Sequence, residues 1–330
     1  MQAVVLVGGE GTRLRPLTSV TPKPVVPLVD RPFMAYMLEW LRGHGIEDVV
    51  LACGFAPDKV RAVLGDGSRW GVRLTYFEEP EPRGTAGALK FVEEALGERF
   101  LMLNGDTLTD FDLGAQLEQH ERTGAVGTLG LVPVEDPSSF GLVRLREDRS
   151  VAGFLEKPEP EEIDTDLVSA GIYVLERAVL DLIPAGRNVS IEREVWPRLV
   201  GNGLFGHPSP AYWLDIGTPE RYLQGTFDIL RGTVATGVRP QDGVLVEDGG
   251  RPDGAGELVH LGRGVRLGTG ATVERSSVHA GVHVGDGARL RDCIVAAGAR
   301  IGARARLSGC VVGEGATIPD DAVLDGEKVS

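Results

Sequence analysis

Cysteine is scarce in this 330-residue chain: Cys53, Cys293 and Cys310 are the only three. Three thiols build no disulfide framework, and their spacing fits no zinc knuckle. Long apolar runs are missing too. None approaches the roughly 18 residues a bilayer crossing needs, so no membrane partner is expected. Met1-Gln2-Ala3-Val4-Val5 enters a strand-like run at once, with no basic region before an apolar core and no cleavage site, so a cytoplasmic protein is expected. Positive charge is also short, with 34 Lys and Arg against 48 Asp and Glu and a net charge of −14. That balance lacks the basic face of a nucleic-acid binder. It does not exclude nucleotides, because a local cluster of cations can hold phosphates on an acidic protein. What is present suits a soluble globular chain: 42% hydrophobic and 25% charged residues, with length for two domains.

Two kinds of sequence meet near residue 235, dividing the chain into 1–233 and 234–330. In the first part, strand-like runs alternate with helical patterns. Ala3–Val7 reads as a buried strand and Pro32–Arg42 as a helix with Phe33, Met37 and Leu41 on one face. Strands are expected at Asp48–Cys53, Val72–Phe77, Phe100–Leu103 and Val151–Leu155, and helices at Pro57–Leu64 and Thr85–Leu96. This alternation implies an α/β fold with a mostly parallel sheet covered on both faces. Such sheets bind ligands at the carboxyl ends of their strands, so the loops after Val7 and Leu103 are where chemistry is expected.

From about residue 244 the chain repeats with a period of 17. Leu267, Val284, Ile301 and Ile318 form one register, and Val273, Leu290, Leu307 and Leu324 a second. Leu261, Val278, Val295 and Val312 form a third, and Ala271, Ala288, Ala305 and Ala322 a fourth. Large residues fall 6, 5 and 6 apart within each period, three short faces per coil, which is the pattern of a parallel β-helix with glycines at its corners. A flexible Gly/Ala linker would not keep four registers in phase. Cys293 and Cys310, also 17 apart, should lie on adjacent coils about 4.8 Å apart as reduced thiols.

Four motifs carry chemistry. Gly8-Gly9-Glu10-Gly11-Thr12-Arg13-Leu14-Arg15-Pro16-Leu17-Thr18, continued by Pro22-Lys23-Pro24, follows the first strand directly. Its glycines let backbone N–H groups approach a phosphate. It is no P-loop, lacking Lys-Ser/Thr after its last glycine, and no dinucleotide fingerprint, because Leu14 stands where the third glycine belongs. Instead it gathers Arg13, Arg15 and Lys23. Asn104-Gly105-Asp106 follows the strand Phe100–Leu103 and puts a carboxylate where Mg²⁺ could be held against a triphosphate. Asp215, in a half-buried run ending at Gly217-Thr218-Pro219, is the best second carboxylate; Asp110 or Asp112 serves a turn or helix cap. Glu156-Lys157-Pro158 pairs a carboxylate for sugar hydroxyls with an ammonium for a sugar phosphate. Arg83-Gly84-Thr85-Ala86-Gly87-Ala88-Leu89 places small residues at a helix start, which serves close approach of a flat base or tight helix packing equally.

In this order, with Ala170-Gly171-Ile172-Tyr173 and Trp213-Leu214-Asp215-Ile216-Gly217, the motifs resemble the sugar nucleotidyltransferase (nucleotide-sugar pyrophosphorylase) family over residues 1 to about 230. Gly84–Leu89, Ser190–Pro197 and the Asp215 segment look most like its mannose-1-phosphate guanylyltransferases. The resemblance implies a Rossmann-like mixed sheet followed by a left-handed parallel β-helix. It also implies transfer of a nucleotidyl group from GTP to mannose 1-phosphate, giving GDP-mannose and pyrophosphate. Arg13 and Lys23 would stabilise the triphosphate, while Asp106 and Asp215 would hold Mg²⁺. Leu6, Gly8, Gly9, Gly11, Thr12, Gly84, Thr85 and Asn104 would line the nucleotide, and Gly141, Glu156, Lys157 and Gly171 the sugar phosphate. Ser169 departs from the Asn many relatives carry there, which bears on the sugar.

Alternatives stay open. Thymidylyl, uridylyl or adenylyl transfer to glucose 1-phosphate uses the same machinery, and no residue rule here reads guanine. A non-catalytic regulatory subunit shares the fold but would lose the metal or phosphate residues. An acyltransferase β-helix could use His279 or His283, although a coil histidine is expected to face solvent. The flat faces and open end coil of the β-helix favour a homo-oligomer.

Overall fold

A computed structural model describes residues 1–330. By contact the chain forms two compact units: Met1–Gly9 with Met37–Trp213, and Glu10–Tyr36 with Leu214–Ser330. The change of sequence character near 233 and this grouping by contact are separate properties of the chain.

The first unit is built on β1 (Gln2–Val7), β2 (Asp48–Cys53), β3 (Arg73–Glu78) and β4 (Arg99–Asn104), parallel in the order β3-β2-β1-β4. β1, β2 and β4 are buried on both sides, as their unbroken apolar runs require, while β3 is an exposed edge strand. Helix α1 (Phe33–Gly43) follows β1, α2 (Pro57–Leu64) follows β2, and α3 (Gly84–Phe91) follows β3. After α4 (Leu113–Thr123) come β5 (Gly127–Pro133), β6 (Gly141–Leu145), β7 (Val151–Glu156), β8 (Leu167–Glu176) and β9 (Leu204–Pro208). β8 runs antiparallel to β4, β5 and β6, which makes the sheet mixed. Asp112 caps α4 by accepting from Ala115 N at 3.1 Å, and Asp110 accepts from Tyr212 N at 2.9 Å, so both have the structural roles expected. The core gathers around Trp196, Tyr173 and Phe100, all essentially without solvent contact. Trp196→Ala is expected to cost about 3–5 kcal/mol of stability, read by urea unfolding.

Helix α3 is shorter than the expected Thr85–Leu96. It stops at Phe91, and a separate 3₁₀ turn covers Glu93–Ala95. The break is held from elsewhere in the fold: the Arg177 guanidinium donates to the Glu93 and Leu96 carbonyls. A partner 84 residues away in sequence is invisible to local periodicity.

In the second unit, three parallel sheets form the faces of a β-helix, advancing 17 residues per coil after a first step of 15 from Val244 to Val259. Leu267 pairs Val284, then Ile301, then Ile318; Val273 pairs Leu290, then Leu307, then Leu324. Leu261, Val278, Val295 and Val312 run up the third face. Cys293 and Cys310 are buried, free thiols on adjacent coils. The glycine corners are only partly as expected. One row of left-handed corners is all glycine (264, 281, 298 and 315), but Arg275, Asp292, Arg304 and Asp321 also adopt positive φ. Such a residue costs about 1–2 kcal/mol of backbone strain, and here each lies in an arginine–aspartate pair stacked between coils. Arg275 Nε donates to Asp292 at 2.8 Å, and Arg304 Nε to Asp321 at 2.7 Å, each pair 17 residues apart.

Helix α5 (Pro219–Arg231), capped by Thr218, packs on the face carrying Val259–Leu261 and Ser276–Val278. Its Tyr222 hydroxyl donates to the Pro27 carbonyl and is met by His279 Nε2 at 2.9 Å. His279 is therefore buried, contrary to the solvent-facing position expected, and its nitrogen is committed to Tyr222 rather than to acyl transfer. Burial, with His260 nearby, pushes its pKa down to about 3. Unfolded, the ring titrates near 6.5, so between these values the unfolded chain binds the extra proton. Stability is expected to fall as pH drops from about 6.5 towards 3, by up to roughly 4 kcal/mol. His279→Gln should flatten that limb of a urea-unfolding series against pH.

Candidate active site

Strand order reverses between β1 and β4, and the loops leaving their carboxyl ends meet: Gly105 N donates to the Leu6 carbonyl at 3.0 Å. Gly8 and Gly9 are exposed there. Gly54, directly after β2, lies so close that a Cβ on it would come within 2.9 Å of Gly8 Cα. Asn104 and Asp106 are half-buried beside them. Asn104 packs against Gly171, which has φ of +71° and leaves no room for a side chain: a Cβ would sit 2.7 Å from the Asn104 amide nitrogen. The crevice thus brings together Leu6, Gly8, Gly9, Asn104, Asp106 and Gly171.

A second wall comes from β6, β7 and β8. Gly141 faces Glu156 in register, and a Cβ on Gly141 would lie 3.2 Å from the Glu156 carboxylate. Lys157, exposed and in the left-handed region, donates its N–H to the Phe140 carbonyl. The Trp213 indole donates to the Ala170 carbonyl at 2.8 Å and meets the Phe140 ring edge-on. Ser169 is committed inward, its hydroxyl sharing a 2.9 Å hydrogen bond with the buried Tyr173 phenol.

Burial raises the Glu156 pKa, and the Glu192 carboxylate adds to the rise. A raised folded pKa means that stability is lost as pH climbs through it, when the charge must form in place. Glu156→Gln is therefore expected to gain melting temperature relative to the natural chain at pH 8 but not at pH 4. Parallel melting curves at the two pH values would contradict this placement.

The Gly84–Leu89 segment is packed against residues 189–192. Ala86 N and Gly87 N both donate to the Val189 carbonyl, and Val189 N donates back to Arg83 O. The Thr85 hydroxyl accepts from Ile191 N and donates to Glu192 at 2.7 Å, so its side chain faces the protein.

In the second unit, the rest of the glycine-rich loop is compact. Gly11 takes φ of +65°, its carbonyl accepts from the Thr18 hydroxyl at 2.7 Å, and a Cβ there would sit 3.0 Å from Lys23 Cβ. Leu14 and Leu17 anchor the loop inward while Thr12 and Arg13 stay exposed. Arg15 makes only an exposed 3.5 Å pair with Glu10. Asp215 and Gly217 bring up Arg13: a Cβ on Gly217 would lie 2.7 Å from its Nη2 and 3.2 Å from Asp215 Oδ2.

Two residues escaped the sequence reading. Glu79 tips the third strand beside Gly8, and burial raises its pKa. A glutamate one residue past a strand end was the available signal. Glu192 sits in a π-helical turn, Ile191–Val195, and accepts from both Thr85 and Ser190. Nothing local foretells that turn.

Residues 2–232 match the family model described as nucleotidyl transferase, and residues 254–330 match the GMPPB C-terminal domain. A mannose-1-phosphate guanylyltransferase of Mycobacterium tuberculosis is 41% identical over 283 residues, 83% of this chain and 78% of that one. Among solved structures, one described as a glucose-1-phosphate thymidylyltransferase from Bacillus anthracis aligns with a TM-score of 0.64 at 26% identity. It covers 72% of this chain and 98% of that one. HddC from Yersinia pseudotuberculosis, complexed with GMP-PN, aligns at 0.59 and 26%, covering 68% of this chain and 97% of that one.

Proposed function

The chain belongs to the nucleotidyl transferase family, and we propose that it joins GTP to mannose 1-phosphate, making GDP-mannose and pyrophosphate. The observation that carries the guanine and mannose assignment is the 41% identity, across four-fifths of the chain, to a mannose-1-phosphate guanylyltransferase. Retention of Arg13, Lys23, Asp106, Glu156, Lys157 and Asp215 favours an enzyme over a silent relative.

A phosphate oxygen of mannose 1-phosphate attacks the α-phosphorus of GTP. The bond from that phosphorus to the bridging oxygen breaks, and pyrophosphate leaves with the electron pair. The attacking group is already an anion, so no serine, cysteine or histidine nucleophile is called for. Catalysis is then positioning and charge stabilisation. Arg13 and Lys23 neutralise the triphosphate, held by a loop whose fold around Gly11 is set before substrate arrives. Backbone N–H groups at Gly8, Gly9, Gly11 and Thr12 approach the phosphates, and Leu6, Asn104 and the Gly84-Thr85 backbone line the nucleoside. Glu156 takes sugar hydroxyls, Lys157 takes the sugar phosphate, and Gly141 and Gly171 leave them room.

Asp106 and Asp215 are the carboxylates proposed to hold Mg²⁺. Hard oxygen donors, few in number, leave positions for phosphate oxygens, as this ion prefers. Asp215 Oδ1 is shielded from bulk water, as a ligand oxygen should be. When bound, the ion withdraws charge from the phosphates and the leaving group.

The decisive measurement is pyrophosphate release with Mg²⁺ over GTP, dTTP, UTP, ATP and CTP, each paired with mannose and glucose 1-phosphates. Release is expected for GTP with mannose 1-phosphate above every other pair. Release with none would overturn the enzyme reading, and preference for dTTP with glucose 1-phosphate would overturn the substrate.

A further inference from the structure

On one face of the β-helix, a groove of about 700 Å³ runs along the strands Thr272–Glu274, Arg289–Arg291, Arg306–Ser308 and Val323–Asp325. Arg289 and Arg306 are register partners on adjacent coils, so their Cα atoms stand about 4.8 Å apart, and both side chains are exposed. Arg291 lies two residues along the same strand, opposite Ser308. Four neighbouring positions therefore present three guanidinium groups and a hydroxyl.

Like charges directly opposed across strands are destabilising. Elsewhere this β-helix stacks arginine on aspartate at the same 17-residue step, as in Arg275–Asp292 and Arg304–Asp321. The column Thr272, Arg289, Arg306, Val323 breaks that pattern and contains no carboxylate. Arg291 has only a loose 3.6 Å contact with Asp292. Another face carries Arg266 and Arg300, but His283 separates them. Carboxylates do border the groove, at Asp253, Glu274 and Asp325, with Glu274 the register partner of Arg291, so the positive charge is concentrated at Arg289 and Arg306.

We propose that this groove binds a small phosphorylated anion of nucleotide size, its phosphates bridging Arg289 and Arg306 with Arg291 and Ser308 beside them. Guanidinium groups match phosphate oxygens in fork geometry, and a space of this volume exceeds a single phosphate but suits a nucleoside polyphosphate. The assignment is independent of the reaction, because none of these residues belongs to the proposed catalytic set.

The test is equilibrium dialysis of the full chain with GDP at low salt, repeated with inorganic pyrophosphate as competitor. The natural chain is expected to bind one GDP per chain more than the double variant Arg289→Gln/Arg306→Gln, or to bind it at least ~10-fold more tightly in that site. Arg266→Gln should behave as the natural chain, and turnover at low nucleotide should be unchanged in both. Displacement by equal pyrophosphate would show that the phosphates alone are read; displacement only at excess would show that the nucleoside contributes. Equal stoichiometry and affinity in the natural chain and the double variant would overturn the proposal. So would loss of a homo-oligomer in the double variant without any anion bound by the natural chain, which would make the groove a seat for a second copy.

Discussion

Arg13→Ala is expected to lower kcat/KM for nucleotidyl transfer by about 10²–10³-fold, the usual cost of removing one preorganised group from developing charge. Stability should hardly move, because Arg13 is exposed and the loop is anchored by Leu14, Leu17 and the Thr18 hydroxyl. Arg13→Lys should fall between, since it keeps the charge and loses the planar fork. Gly217→Ala approaches the same group without removing it. Its Cβ would need the space 2.7 Å from Arg13 Nη2, so the guanidinium must move away from Gly217. A drop in kcat with melting temperature preserved, in Arg13→Ala and Gly217→Ala alike, is the expected signature. Near-normal turnover in Arg13→Ala would remove it from the proposed catalytic set. Single-turnover kinetics at saturating GTP separates that loss from weakened binding.

Gly84→Ala is expected to cost about 2–4 kcal/mol of stability, a large loss for one methyl group. Gly84 has φ of +68°, and a Cβ there would fall 2.6 Å from the Val189 carbonyl oxygen and 2.8 Å from the Asn188 side chain. The 187–189 segment would have to withdraw, and with it the Val189 carbonyl that holds Ala86 N and Gly87 N. Thr85 and Glu192 would shift next, so KM should rise for both substrates together. Urea unfolding with parallel kinetics tests this. An alanine variant of normal stability that loses only GTP affinity would return the segment to the base-contact reading.

These two glycines mark the limit of what local pattern reveals. Gly84-Thr85-Ala86-Gly87 allows base approach and tight packing equally, and its packing partner, about 100 residues later in sequence, appears only in the fold. Gly217 gave no sequence signal of its own, because its neighbour Arg13 lies about 200 positions away. Within Ser190–Pro197, Glu192 gains its contacts through a π-helical turn and two hydroxyl partners, none of them periodic in sequence. His279 went the other way: a histidine on a coil reads as solvent-facing until α5 brings Tyr222 over it.

By itself the sequence determined the architecture of the last third, because a 17-residue repeat leaves each inward position only one stacking partner, and the observed registers keep that step from Val259 onward. It also determined which strands lie at the centre of the first sheet, since strands that are apolar throughout must be covered on both faces. Tertiary structure alone decided the partners. It grouped Glu10–Tyr36 by contact with Leu214–Ser330, ended α3 with a distant arginine, and set Arg289 on Arg306 while pairing Arg304 with Asp321. The physical reason is range. Burial and period act over neighbouring residues and leave a record in the chain, whereas a hydrogen bond or a charge contact depends on what folding brings within a few ångströms.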